Sequence, residues 1–328
     1  MKILIMTDME GCAGIMNAQD YLHHDSKYYE YACELATLEA SATVEGALEA
    51  GATEALVVDA HGPGAIKRSL LHPKARLLGG RPWPKEIVTY GCDGSFNAAL
   101  MVGQHAMSGT DGGHLSHTMS FWVEEYRIND VPMGEVGLFM LMAGYFAVPL
   151  IMVSGDEAAC AEARALLPNV ETCEVKNGVK RGSSHGLSGE DNARFNSLAI
   201  HLHPDEARAR IREHAFRAVR RIPEIAPYRL EAPYTLTIVK RPSPEKPKGE
   251  RFVCKGADYV DLMRRVRAGA APKQEQKKGR KTVAAAGRPA SAARAVASAK
   301  PAAAKPKRAA AVRRLSGGKA GARKRGKR

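Results

Sequence analysis

The chain has 328 residues, of which 45% are apolar, and a formal net charge of +14 at pH 7. The charge is concentrated at one end: from Lys273 to Arg328 there are 19 Lys or Arg and one acid, Glu275, which leaves 30 basic against 34 acidic residues, a balance of −4, before it. This excludes a uniformly basic protein, and the absence of any apolar run near the roughly 20 residues of a membrane helix argues against a membrane-spanning protein.

Lys2 to Thr7 is predicted as a buried strand. The apolar run after Lys2 ends at Asp8, too short for a secretory signal, so a cytoplasmic protein is expected. Its six cysteines, with no CxxC pair, are then expected as reduced thiols. Tyr28 to Ala50 reads as a long helix stopped by Gly51, and Ala55 to Asp59 as a second strand. Ala98 to Val102 is a third strand, Ser120 to Ile128 is extended, and Asn129-Asp130 is a turn. Gly134 to Phe146 is apolar nearly all round and predicts a buried helix. Pro149 to Ser154 is a further strand and Glu157 to Leu167 a further helix. Alternation of this kind predicts an α/β fold, a mostly parallel sheet with helices on both faces.

After about residue 170 the pattern loosens, and a smaller C-terminal α+β part is expected over about 171–269. Gly182 to Arg194 reads as a loop, Pro204 to Arg221 as a basic amphipathic helix, Tyr234 to Val239 as a strand and Asp258 to Arg267 as the last helix. From residue 270 to 328 the composition turns to Ala, Lys, Arg, Pro and Gly, which cannot bury enough apolar area to offset the entropy of ordering, so a disordered basic tail is expected.

Polar residues collect where strands end. Asp8 and Glu10 follow the first strand, Asp59 and His61 close the second in "DAHG", and His105 follows the third in "GQHA". In open parallel sheets that edge is where ligands bind. Glu135 opens the buried helix and His117 lies in the Gly-rich stretch "GTDGGHLSHTMS". Singly, each has a bland explanation: a strand-end Asp caps turns, a His fills a loop, and Glu135 answers a helix dipole. Together, imidazoles and carboxylates at one edge suit zinc or a similar divalent ion. Two ions would also explain why Asp8 and Glu10 tolerate each other, and two such ions are machinery for hydrolysing an amide or ester. His114 or His117 is a candidate proton shuttle. Cys12 is a soft ligand or a packed thiol, and His185 lies within reach of a site only if its loop folds inward.

"DMEG" at 8–11, "DAHG" at 59–62, "GQHA" at 103–106, "SHTMS" at 116–120 and "INDVPMGEVGL" at 128–138 resemble the D-aminopeptidase family of zinc peptidases, peptidase family M55. The resemblance runs in order from Met1 to about residue 180 and more faintly to about 268. It implies two zinc ions held by Asp8, Glu10, His61, His105 and Glu135, with Asp8 bridging, Glu10 and Glu135 completing one site, and His61 and His105 the other. His117 matches the family's catalytic residue. By the same resemblance a zinc-bridging hydroxide attacks the scissile carbonyl, short peptides lose N-terminal D-amino acids of the D-alanine type, and subunits assemble into ring-shaped homo-oligomers. The sequence departs from the pattern at Ala60, where the family has Ser, at Cys12, and at residues 182 to 194, which read as an insertion.

The tail is foreign to that pattern. A flexible segment of its charge density attracts polyanions without sequence readout, so non-specific nucleic-acid association is a further expectation. Two alternatives to the peptidase follow: a nucleic-acid-associated protein with an inactive peptidase-like body, and a zinc amidase acting on another small amide.

Overall fold

Alternate side chains of the first strand, β1 (Lys2–Thr7), enter two different cores: Ile3 and Ile5 join one apolar cluster, Leu4 and Met6 the other. A strand buried on both faces belongs in the middle of a covered parallel sheet. The computed structural model describes residues 1–85 and 87–269. The basic segment expected to be disordered, 270–328, lies outside the described residues.

In sequence order β1 is followed by α1 (Ala18–Tyr21), α2 (Tyr29–Glu49), β2 (Glu54–Asp59), β3 (Ala75–Leu78), β4 (Ala98–Gln104), β5 (Val123–Ile128) and β6 (Val131–Pro132). Then come α3 (Glu135–Tyr145), β7 (Leu150–Asp156), α4 (Glu157–Leu166), β8 (Glu171–Gly178), α5 (Gly189–Phe195) and β9 (Ala199–His201). The described residues end with α6 (Pro204–Arg220), β10 (Tyr234–Lys240), β11 (Glu250–Gly256) and α7 (Tyr259–Arg267).

Seven strands form one sheet in the order β3-β2-β1-β4-β7-β8-β9, parallel except for β9, which runs antiparallel to β8. Helices α2 and α6 pack on the Ile3/Ile5 face through small residues such as Ala40, Ala47, Ala207 and Ala215. Helix α3 packs on the Leu4/Met6 face, with an antiparallel sheet of order β11-β10-β5-β6. Helix α3 is buried along almost its whole length, as its uniform apolar composition predicts. The Asn129-Asp130 turn is present, with both residues left-handed (φ 50° and 64°), the geometry of a tight hairpin.

Several elements differ from expectation. Strands β8 and β11 interleave charged or polar residues with apolar ones, and β3 and β9 are only four and three residues long; each is at or next to a sheet margin. The segment read as a loop from Gly182 to Arg194 contains α5, whose Ser188 side chain accepts from the Asp191 amide. Seven residues with no apolar stripe leave only that cap as a signal. Neither sheet is cut near residue 170: β8 and β9 extend the large sheet, and β10 pairs with β5. All six cysteines are buried and unbonded.

One buried cation ties the far side of the sheet to the first strand's exit. Lys176 on β8 is 4% exposed, and its Nζ donates to the carbonyls of Glu10, Cys12 (2.9 Å) and Ile15 (3.2 Å). Burial pulls its pKa down to about 8, against attraction from Cys12 and Asp156. The ammonium has three main-chain acceptors in place of water, which is how a buried charge becomes tolerable. Lys176→Met leaves those carbonyls without a donor and is expected to destabilise the protein by about 2–4 kcal/mol, read as a lower urea midpoint at unchanged m-value.

Candidate metal centre

The first strand ends at Thr7, and the backbone then turns hard against the end of β4. Gly11 N–H donates to the Gly103 carbonyl at 2.8 Å. A Cβ on Gly11 would sit 2.0 Å from the Gln104 carbonyl oxygen, and one on Gly103 (φ +74°) 2.2 Å from the Asp8 carbonyl oxygen. Only paired glycines allow this approach, and it sets Asp8 and Glu10 beside His105, the residue after β4. His61 stands two residues past β2, on the other side of β1, and Glu135 is the first residue of α3.

The structure brings all six expected residues to one mouth. His61 Nδ1 lies 3.2 Å from Asp8 Oδ1 and 3.2 Å from Glu10 Oε2. His105 Nε2 lies 3.5 Å from Asp8 Oδ2 and 3.3 Å from Glu135 Oε1, and His117 Nε2 is 3.7 Å from the same Glu135 oxygen. Asp8 therefore turns one oxygen to each side. The partition differs from the expected one: Glu10 groups with His61, and Glu135 with His105. The strand order β2-β1-β4 dictates this, because Asp8 sits on the middle strand with one imidazole arriving from each neighbour.

Each imidazole is oriented by a main-chain carbonyl. His61 Nε2 meets the Leu22 carbonyl at 3.1 Å, His105 Nδ1 the Ala106 carbonyl at 3.0 Å, and His117 Nδ1 the Leu115 carbonyl at 2.8 Å. A carbonyl only accepts, so those nitrogens carry the proton and the opposite nitrogen of each ring faces the carboxylates. This is the arrangement by which proteins fix the tautomer of metal-binding histidines. His105 Nε2, wholly buried, has no hydrogen-bond partner among the described residues. Donor atoms of Asp8, Glu10 and His105 lie within 4.8 Å of one another, as do those of His105, His117 and Glu135. Buried carboxylate oxygens and an orphaned imidazole nitrogen fit a divalent cation.

Electrostatics follow the same division. Burial would raise the Asp8 pKa, but the neighbouring imidazoles of His105 and His61 hold it well below the usual carboxylate range. Burial would likewise lower His61 and His105, and the neighbouring carboxylates overcome it, lifting both. His117 goes the other way: burial, then the positive charge of His105, keeps its imidazole below the ordinary value. Its ring stacks on His105 at 3.9 Å and leans on Phe121 at 4.2 Å. The loop around it is bent by two left-handed residues, Leu115 (φ 52°) and Met119 (φ 64°), and the Met119 amide donates to Glu135 at 2.8 Å. Strain of that kind marks functional loops.

The remaining candidates fall elsewhere. Asp59 Oδ1 accepts the Ala65 amide at 2.8 Å and braces the loop that carries His61. His114 is buried but its Nε2 is taken by the Met16 carbonyl at 3.0 Å. His185 faces Glu124 at 3.6 Å on the surface. His201 is half-buried and accepts the Gly14 amide at 3.2 Å. Cys12 is buried with its Sγ against the Asp8 carbonyl at 3.5 Å, so this residue is a packed thiol.

Sequence reasoning missed the residues that hold the loops. Arg81 donates to the carbonyls of Asp59 (2.8 Å) and Gly62 (2.9 Å) and to that of His61. Asn192 donates to the Phe121 carbonyl at 3.2 Å, and Asn196 to Ser116 Oγ at 3.1 Å, so the 182–194 segment and the residues just after it pin both flanks of His117. Glu162 of α4 accepts the Met107 amide at 2.8 Å and the Gly134 amide at 3.0 Å, joining the loops of His105 and Glu135. Burial pushes its pKa up to about 7. None stands in a motif, and no local pattern marks Glu162 on α4 as buried. Glu162→Ala is expected to weaken divalent-metal affinity about 10–100-fold with every candidate ligand intact, read by competition against a chromophoric chelator.

One family model and two known proteins are similar to this chain. The curated D-aminopeptidase of Bacillus subtilis (strain 168) is 39% identical over 189 residues, covering 57% of this chain and 68% of the relative. The solved structure of the Zn-dependent D-aminopeptidase DppA from Bacillus subtilis, a self-compartmentalizing protease, superposes with a TM-score of 0.71 at 28% identity, covering 82% of this chain and 97% of that one. The family model described as peptidase M55, D-aminopeptidase, matches residues 1–245, and this chain belongs to the D-aminopeptidase family.

Proposed function

We propose that the protein is a binuclear zinc aminopeptidase that removes N-terminal D-amino acids, of the D-alanine type, from short peptides. One observation carries the reading: three imidazoles each give one nitrogen to a main-chain carbonyl and turn the other toward a buried cluster of three carboxylates. Glu10, His61 and one oxygen of Asp8 would hold one ion. His105, Glu135 and the other oxygen of Asp8 would hold the second. Family membership and the zinc-dependent neighbour support the choice of metal. Zinc pairs supply a Lewis acid for a carbonyl and make water a nucleophile near neutral pH.

The protein's own groups do the rest. Asp8 keeps the two halves in register. His117, kept neutral by burial, accepts a proton at Nε2 while Leu115 holds Nδ1–H. It can then return that proton to the departing amine. Phe121 and the His105 ring exclude water from its two faces. Homo-oligomeric assembly is part of the proposal, supported by the self-compartmentalizing neighbour. A cytoplasmic location is also proposed.

Two measurements test it. Metal analysis of the purified protein is expected to give two zinc ions per subunit, and release of D-alanine from D-Ala-Gly-Gly should vanish on chelation and return with zinc. Retained turnover after strict chelation would sink the reading. Among variants, His117→Ala should lose about 10²–10⁴-fold in kcat while keeping its zinc, whereas Asp8→Ala should lose zinc and activity together.

A further inference from the structure

A cavity of about 320 Å³ opens beside Glu135. It is lined by Met6 from β1, Leu138 and Met142 from α3, Tyr126 from β5 and Met263 from α7. The volume falls in the range of small-molecule sites and exceeds the voids of a close-packed interior. Glu135 belongs to both the cavity and the candidate metal centre, and Met119, whose amide donates to Glu135, lines the cavity too. Whatever fills the cavity therefore lies against the reacting centre.

The wall chemistry is specific. It is apolar and rich in methionine, a surface that adapts to varied aliphatic and aromatic groups. Two cations also line it, Lys240 and Arg267. Arg267 is fixed by a 2.7 Å hydrogen bond to the Ile87 carbonyl and lies 6.0 Å from the centre of the Tyr90 ring. Lys240 is exposed, with its ammonium 5.1 Å from the Phe252 ring. These cations repel the free ammonium that marks a peptide's N-terminus and attract the carboxylate that marks its C-terminus.

We propose that this cavity is the subsite for the leaving residue: it takes the apolar side group of the residue that follows the scissile bond, with the peptide's carboxylate directed to Lys240 and Arg267. The preferred substrates are then dipeptides whose second residue is bulky and apolar. The assignment rests on the aminopeptidase reading above and fixes the direction in which the substrate lies.

The test compares D-Ala-Gly, D-Ala-Ala, D-Ala-Leu in both configurations of leucine, and D-Ala-Leu-amide on the zinc-loaded full-length protein. From glycine to the better leucine epimer kcat/KM is expected to rise about tenfold or more, and to fall several-fold when the carboxylate is capped as the amide. Met263→Trp, which fills the cavity, should remove most of that rise. A flat series overturns the proposal. A binding measurement separates this from the activity: 4-methylpentanoate should bind the protein as purified more tightly than acetate, and the difference should shrink in Met263→Trp and Arg267→Met. If no dipeptide is cleaved, the aminopeptidase reading fails while this binding difference still supports the cavity's chemistry. Equal binding of the two acids overturns it.

Discussion

The whole mouth of the sheet depends on Asp8 having both carboxylate oxygens engaged, one toward His61 and one toward His105. Asp8 and Glu10 are buried and Glu135 nearly so, and the repulsion among them grows as water is removed. Imidazoles from the two neighbouring strands relieve it in the protein alone, and cations would relieve it more fully. The backbone serves the same end. Gly11 and Gly103 let β1 and β4 close on each other, and Lys176 places a positive charge under the turn that carries Glu10. The site is thus a property of strand order and close approach, not of any local segment.

Much of this was legible in the sequence, for physical reasons that also explain the gaps. Strands β1, β2, β4 and β7 are covered on both faces, so they appear as unbroken apolar runs such as Ile3-Leu4-Ile5-Met6. Polar residues directly after such runs stand out, which exposed Asp8, His61 and His105 to inspection. Strands β8 and β11 interleave Glu, Lys and Arg with apolar residues because they lie toward the margins of their sheets, and they passed unseen. The grouping of Glu10 with His61 depended on β2 and β4 flanking β1, a long-range fact that no local pattern states.

The supporting residues were illegible for a different reason. Glu162, Asn192 and Asn196 look like ordinary solvent-facing positions on or beside their helices, and only tertiary contacts reveal them as buried partners of loop amides, carbonyls and hydroxyls. The 182–194 segment is the sharpest case. It reads as an appendage, yet through Asn192 it grips both ends of the turn that presents His117. Arg241, fully buried, anchors the same segment by donating to the carbonyl of Leu187 at 3.2 Å and to Ser184 Oγ at 3.1 Å.

The shielding of all six sulfhydryl groups has a consequence of its own. Alkylating reagents reach a thiolate only when the protein opens, and burial lifts Cys12, Cys92, Cys160 and Cys173 well away from ionisation at neutral pH. In the native fold no cysteine sulfur is therefore presented at the surface to an oxidant. Each sulfur instead becomes a built-in reporter whose labelling rate follows the breathing of the layer around it.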